Sequence, residues 1–202
     1  MPRLLSIDEY GFGLTWTLDE AMQRASHALA HEGKVWLIDP VDLPEAIDKA
    51  TQLGEVAGVI QLLDRHNRDG KKLAERFGVP LHQLPDTLPA DAPFERFDVV
   101  QIPKWREVGL WWPEQKALVV PEAVGTGPMF RPSDTGTAAG VHLFLRLRPP
   151  SPPRRYTPEH LLVGHGPAIH GPEAADALHA AYARSLKDFP RVLARLPFAL
   201  KG

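Results

Sequence analysis

Val56-Ala57-Gly58-Val59-Ile60-Gln61-Leu62-Leu63-Asp64-Arg65-His66-Asn67-Arg68-Asp69-Gly70 changes character at Asp64. Residues 56–63 form a nearly continuous apolar run, as in a strand covered on both faces. A dense polar cluster follows. Lys71 to Phe77 then reads as a helix closed by Gly78, and Val79-Pro80-Leu81-His82 as a short strand. Upstream, Lys34-Val35-Trp36-Leu37-Ile38-Asp39-Pro40 is another buried strand, stopped by its Asp-Pro turn. Pro44 to Leu53 has helical spacing through Ala46, Ile47, Ala50 and Leu53, with Gly54 as its stop. Strand, helix, strand, helix, strand at this spacing indicates an α/β layout.

Further out the pattern changes. Residues 83–98, with Pro85, Pro89 and Pro93, read as a connecting loop. Val99 to Ile102, Val108 to Trp112 and Ala117 to Val120 read as consecutive strands, the last two joined by a turn at Pro113-Glu114-Gln115-Lys116. Thr126 to Gly140 is rich in Gly, Thr, Ser and Pro and is expected to be a long, partly mobile loop. Leu161-Leu162-Val163 is a short strand running into Gly164-His165-Gly166-Pro167. Pro172 to Leu186 is a helix with Pro in its first turn, and Val192 to Leu196 a final amphipathic turn. Toward the N-terminus, Thr17-Leu18-Asp19-Glu20 has a capping-box pattern, so that Ala21 to Ala30 reads locally as a helix.

Composition sets bounds on function. The chain has 202 residues, 44% hydrophobic and 24% charged, enough to bury a core without staples. A single domain over 1–202 is expected. Cysteine is absent, which excludes disulfides, thiolate metal ligands and thiol nucleophiles. A formal charge of −2 and a pI near 6.5 give no overall basic field for nucleic acid or an anionic membrane. With no apolar run long enough to span a bilayer and no signal-peptide pattern, a cytoplasmic location is the expectation.

Three stretches, in this order, resemble the metallo-β-lactamase fold superfamily: residues 35–40, the run from residue 56 through Leu73-Ala74-Glu75-Arg76-Phe77-Gly78-Val79-Pro80, and Leu162-Val163-Gly164-His165-Gly166-Pro167. Gly109 to Val120 resembles the hairpin before the family's bridging aspartate. The resemblance covers roughly residues 25 to 186. It implies a four-layer αββα sandwich and makes Ala25 to Ala30 a strand paired with Val35 to Asp39, against the helical reading.

The family's metal loop, Thr-His-x-His-x-Asp-His, is broken here. One register puts Arg65 and Asn67 at the first two histidines, Asp69 at the aspartate and Gly70 at the last histidine. A second puts Leu63 and Arg65, then Asn67, then Arg68, at those positions. The histidine expected before the hairpin falls near Pro103 or Lys104, and the bridging aspartate near Glu122. Only His165 matches its motif directly. Because a guanidinium cannot ligate a metal, no metal cofactor is expected, and Arg65 or Arg68 is expected to fill the vacated space and pair with Asp69 or Glu122.

The resemblance thus implies a degenerate member without the dinuclear site, a binding or regulatory protein for an unknown small molecule. His66, Asp69 and His165 are its candidate catalytic residues, and Arg65, Asn67, Arg68, Glu122 and Trp105 its pocket. The first alternative is a hydrolase with one surviving divalent-metal position, such as zinc, on Asp69, Glu122 and His165. The second is a structural homo-oligomer with a Trp-bearing hairpin at its interface. Simpler readings stand beside these: Asp69 as a helix N-cap, His165 as a turn residue, and Trp111 and Trp112 as strand residues facing opposite sides. Pro149 to Pro153, flanked by Arg146, Arg148, Arg154 and Arg155, reads as a stiff surface connector or a polyproline ligand.

Overall fold

The computed structural model describes residues 3–131 and 138–199. Its first sheet holds β1 (Leu4–Tyr10), β2 (Gly13–Leu18), β3 (Ala25–His31), β4 (Lys34–Ile38), β5 (Glu55–Gln61) and β6 (Leu81–Gln83), in that spatial order. The strands β1 to β4 are antiparallel neighbours, whereas β4, β5 and β6 are parallel, joined through α1 (Pro44–Gln52) and α2 (Gly70–Phe77). The second half adds β7 (Glu95–Ile102), β8 (Trp105–Trp112) and β9 (Ala117–Val120), then the small pair β10 (Val124–Gly125) and β11 (Gly140–Val141). It ends with β12 (His160–Val163), β13 (Ile169–His170), α3 (Glu173–Ala183) and α4 (Ser185–Ala199). The second sheet runs β13-β12-β9-β8-β7.

Strand alternation builds the layers. Val35, Leu37 and Val59 face outward and pack with Ala46, Ile47 and Ala50 of α1 and Leu73 and Ala74 of α2. Trp36, Ile38 and Ile60 face the other way and meet Val108, Leu110, Val119 and Leu162 between the two sheets. Leu118, Val120, Leu161 and Val163 face out again, onto Ala174, Ala177, Leu178 and Ala181 of α3. Strands buried on both faces are apolar nearly throughout, which explains the apolar runs at 35–38 and 56–60; β5 itself ends at Gln61, two residues before the end of the run that the sequence suggested. The expected αββα sandwich is the observed one.

Several local expectations need correction. Ala25 to Ala30 is the strand that the resemblance implied, paired with β4, and only the local helical reading fails: Glu20 of the capping-box pattern pairs with Arg24. The β3–β4 hairpin turns at Glu32 and Gly33, with φ of 49° and 77°, the two-residue turn that matches strand twist. No element was read before residue 17, yet β1 and β2 lie there. Residues 95–98, assigned to a loop, open β7, with Phe97 buried against Gly109. The C-terminal amphipathic turn lies inside the longer α4. Pro152 to Arg155 is a 3-10 turn, so that part of the proline-rich stretch is not polyproline helix. The loop expected over Thr126 to Gly140 lies partly in residues 132–137, outside the described residues. Trp112 is buried among Phe12, Phe94 and His31, and Trp111 stacks on Tyr156, so both indoles are used within the chain. Among the described residues no helix is long and apolar enough to cross a membrane.

One buried histidine makes stability depend on pH. His27 is 2% exposed, with Nδ1 2.8 Å from Thr15 Oγ1. Burial, followed by the charge of Arg68, pushes its pKa down to about 3 from 6.5. Above pH 6.5 the ring is neutral folded or unfolded. Below it, the unfolded chain takes up a proton that the folded chain refuses, so stability falls on acidification, by up to about 1.4 kcal/mol per pH unit. His27→Asn keeps a polar partner for Thr15 and removes the titration. Its urea midpoint is expected to fall less than the wild type's between pH 6.5 and 4.5; parallel curves would contradict this.

Candidate metal centre

The loop after β5 lies between the two sheets' ends, and Asp39 organises it. Asp39 ends β4 in the left-handed region at φ 43°, a conformation aspartate tolerates better than most residues. Its Oδ1 accepts from Leu62 N at 3.0 Å, which fixes the start of the loop. Its Oδ2 lies 2.9 Å from His66 Nδ1. Burial works against the Asp39 carboxylate, yet His66 and Arg68 hold its pKa below the usual value, so it is ionised and accepts the His66 Nδ1 hydrogen.

His66 then turns its Nε2 toward Glu122 Oε2, 3.2 Å away. His165 reaches the same oxygen, with Nε2 at 3.0 Å. Its Nδ1 lies 2.9 Å from Met22 O; a carbonyl only accepts, so this nitrogen carries the hydrogen. Both rings therefore have their Nδ1 hydrogen committed, and both Nε2 atoms converge on one carboxylate oxygen. His66, Glu122 and His165 are all buried, with ligand atoms within 4.8 Å of one another. A third imidazole has the opposite tautomer. Phe144 N donates to His142 Nδ1 at 3.3 Å, so its Nε2–H points to Glu122 Oε1 at 3.2 Å. Burial pushes the His142 pKa down to about 4, consistent with a neutral ring. Despite its burial, the His165 and His66 imidazoles set against it hold the Glu122 carboxyl far below the usual carboxylate range. Behind it, Glu107 accepts from Glu122 N, Ala123 N and Trp105 Nε1, and complete burial pushes its pKa up to about 7.

The arginines do not behave as expected. Arg68 pairs with neither Asp69 nor Glu122; it donates to the carbonyls of Ala25, Asp39 and Gly164, the last two at 3.0 Å. Arg65 places its guanidinium carbon over the Trp105 ring, 4.1 Å from the centroid, and donates to Lys104 O. Asp69 lies outside the group, its Oδ2 accepting from Asp42 N at 2.9 Å, and it makes no side-chain cap bond to α2. His66 therefore stands where the sequence alternative had Asp69, and neither register had identified it as a ligand. His142 and Glu107 were missed altogether; neither sits in a motif, and only folding brings them to Glu122. A cleft of ≈ 230 Å³ opens over the group, lined by Met22, Arg24, Arg65, His66, Asn67, Arg68, Glu122 and His165. Trp105 is buried beneath Arg65 rather than lining the cleft.

Gly164 sets the approach of β12 to this group. A Cβ there would overlap Pro121 O and come within 3.1 Å of His66 Cε1. Gly164→Ala is expected to move His165 away from Glu122 and to lower stability by about 2 kcal/mol, as overpacked sites do. A variant with an unchanged thermal midpoint would contradict the close approach.

The chain has the metallo-β-lactamase fold. Solved structures similar to it include the metallo-β-lactamase DIM-1, at TM-score 0.61 and 14% identity over 92% of this chain and 98% of that one. The metallo-β-lactamase FIM-1 from Pseudomonas aeruginosa, solved in its mono-zinc form, matches at TM-score 0.56 and 13% identity over 91% and 96%. So does the apo state of the chemotaxis sensor ODP from T. denticola, at TM-score 0.56 and 12% identity over 90% and 93%. No family model matches the chain, and no curated protein matches it.

The donor set fits one divalent ion. Two imidazole nitrogens with orientation fixed by second partners, plus one carboxylate, are a known ligand set for zinc with an open position left over. Among the described residues, His66, Glu122 and His165 form the group of metal-ligating side chains whose donor atoms lie close enough together to share an ion.

Proposed function

We propose that the protein is a single-metal hydrolase on the metallo-β-lactamase fold, with one divalent ion held by His66 Nε2, Glu122 and His165 Nε2. The observation that carries this is the convergence of two Nε2 atoms on one oxygen, with both Nδ1 hydrogens already committed. Electron pairs brought that close require a positive charge between them, a proton or a metal ion. When bound, a divalent ion supplies Lewis acidity and a water acidic enough to be a nucleophile near neutral pH. The chain's residues do the positioning. Asp39 and Met22 O orient the two ligand rings, and His142 Nε2–H holds the other Glu122 oxygen. Glu107 fixes the Glu122 backbone. The cleft admits a small substrate.

One observation favours a second reading, a metal-free binding or regulatory protein. Both Glu122 oxygens already face imidazole nitrogens, so a proton on His66 or His165 satisfies the group without an ion. Metal content separates the two. Protein purified without chelator is expected to carry close to one equivalent of zinc, iron or manganese. Less than about a tenth of an equivalent, not restored by added metal, would select the metal-free reading. With metal present, turnover of small ester, thioester, amide or phosphodiester substrates that disappears in His165→Ala would support the hydrolase.

A further inference from the structure

Arginines line the cleft over the candidate centre, and they are not equivalent. Arg24 is committed to Glu20, with NH2 2.9 Å from Oε2 and Nε on Oε1. Arg68 is committed to the carbonyls of Ala25, Asp39 and Gly164. Arg65 is different. Its side chain is 41% exposed, and its contact with Asp64 is long, at 3.6 Å. Only NH1 has a hydrogen-bond partner among the described residues, Lys104 O at 3.1 Å. Among the described residues its Nε and NH2 hydrogens meet no acceptor.

The side chain is nevertheless held in place. The guanidinium lies 4.1 Å above the Trp105 ring. Trp105 is 7% exposed and is pinned from below by the hydrogen bond from its Nε1 to Glu107 Oε2, 3.0 Å. Glu107 is the residue that also accepts from Glu122 N. One buried carboxylate thus fixes both the candidate metal ligand and the platform under Arg65. A stacked guanidinium loses less freedom on binding than a loose one and keeps its donor fork for a planar or tetrahedral oxyanion. Asn67, exposed in the same cleft, adds an amide donor beside it.

We propose that Arg65 is the specificity-determining residue of the cleft, and that the ligand carries an oxyanion, a carboxylate or a phosphate, bound by the Arg65 fork next to the His66–Glu122–His165 centre. This deepens the single-metal reading, and the test keeps the two apart. Zinc-loaded wild type, Arg65→Ala, Arg65→Lys and Arg24→Ala are titrated calorimetrically with inorganic phosphate and, separately, with acetate, and zinc is measured in every sample. The expected result is that Arg65→Ala weakens binding of at least one anion about tenfold or more, with zinc content and thermal midpoint unchanged. Arg65→Lys is expected to restore little, because an ammonium has no fork, and Arg24→Ala to matter less than Arg65→Ala. The stronger arm distinguishes a phosphate from a carboxylate ligand. Equal affinities in wild type and Arg65→Ala, or no binding of either anion up to about 10 mM, would overturn the proposal. If zinc fails to load, the single-metal reading falls by itself. The same titrations on the metal-free proteins then decide the subsite, through the presence or absence of an Arg65-dependent difference.

Discussion

Glu122→Gln is expected to weaken zinc binding by more than about a hundredfold, because groups that merely orient metal ligands are worth 10–100-fold each and Glu122 is itself the anionic ligand. The substitution keeps the size of the side chain and one accepting oxygen, so the fold should persist. Asp39→Asn removes the carboxylate that fixes the His66 ring, 2.9 Å from Nδ1. It should cost about 10–100-fold, since an amide in that place can present its nitrogen to the ring and leave the tautomer unset. The measurement is competition against a chelator of known affinity, with circular dichroism to confirm folding. Wild-type affinity in Glu122→Gln would remove Glu122 from the ligand set. Wild-type affinity in Asp39→Asn would leave His66 oriented by something else.

Arg68→Met is expected to destabilise the fold by about 3 kcal/mol. Arg68 joins the β3 start, the β4 end and the turn after β12 by donating to Ala25 O, Asp39 O and Gly164 O. Its removal takes one donor from each of these carbonyls, leaving Asp39 O with Ser26 Oγ and Gly164 O with Ala25 N, and takes a cation from beside the ionised Asp39. Methionine fills much of the volume, so the loss reports lost polar partners rather than a cavity. Arg68→Lys should recover less than half, because one ammonium cannot reach all three carbonyls in a fork. Urea unfolding measures both; an Arg68→Met midpoint within about 0.5 kcal/mol of wild type, the usual range for a surface change, would show that the brace contributes nothing.

The scaffold was legible in the sequence because burial on both faces writes itself as apolar runs. Residues 35–38 lie in β4 and residues 56–61 in β5, covered by α1 and α2 on one side and by the second sheet on the other. The N-terminal hairpin was illegible for the complementary reason. β1 is an edge strand with mixed burial, and in Leu14-Thr15-Trp16-Thr17-Leu18 the threonines look exposed although they are buried. Thr15 is buried against Tyr10 and His27, partners that only the fold supplies.

The site was legible in its parts but not in its wiring. Gly-His-Gly pointed to His165, and the hairpin pointed to Glu122. The loop pattern misled, because substitution of its histidines by Arg65, Asn67 and Arg68 suggested that no metal-ligating imidazole remained, and His66 stood only as a candidate acid–base residue. His66 lies between the pattern positions and is turned inward by Asp39. His142 comes from beyond the 126–140 segment, and no spacing links it to Glu122. The two arginines were expected to replace a metal and instead satisfy backbone carbonyls, which are invisible in a sequence because every residue has one.

The most direct test is X-ray diffraction from crystals grown with zinc, measured on both sides of the zinc absorption edge. A single-metal centre predicts one anomalous peak in contact with His66 Nε2, Glu122 and His165 Nε2. Two zinc peaks in the cleft, or a fully formed His66–Glu122–His165 cluster without a peak at saturating zinc, would contradict it.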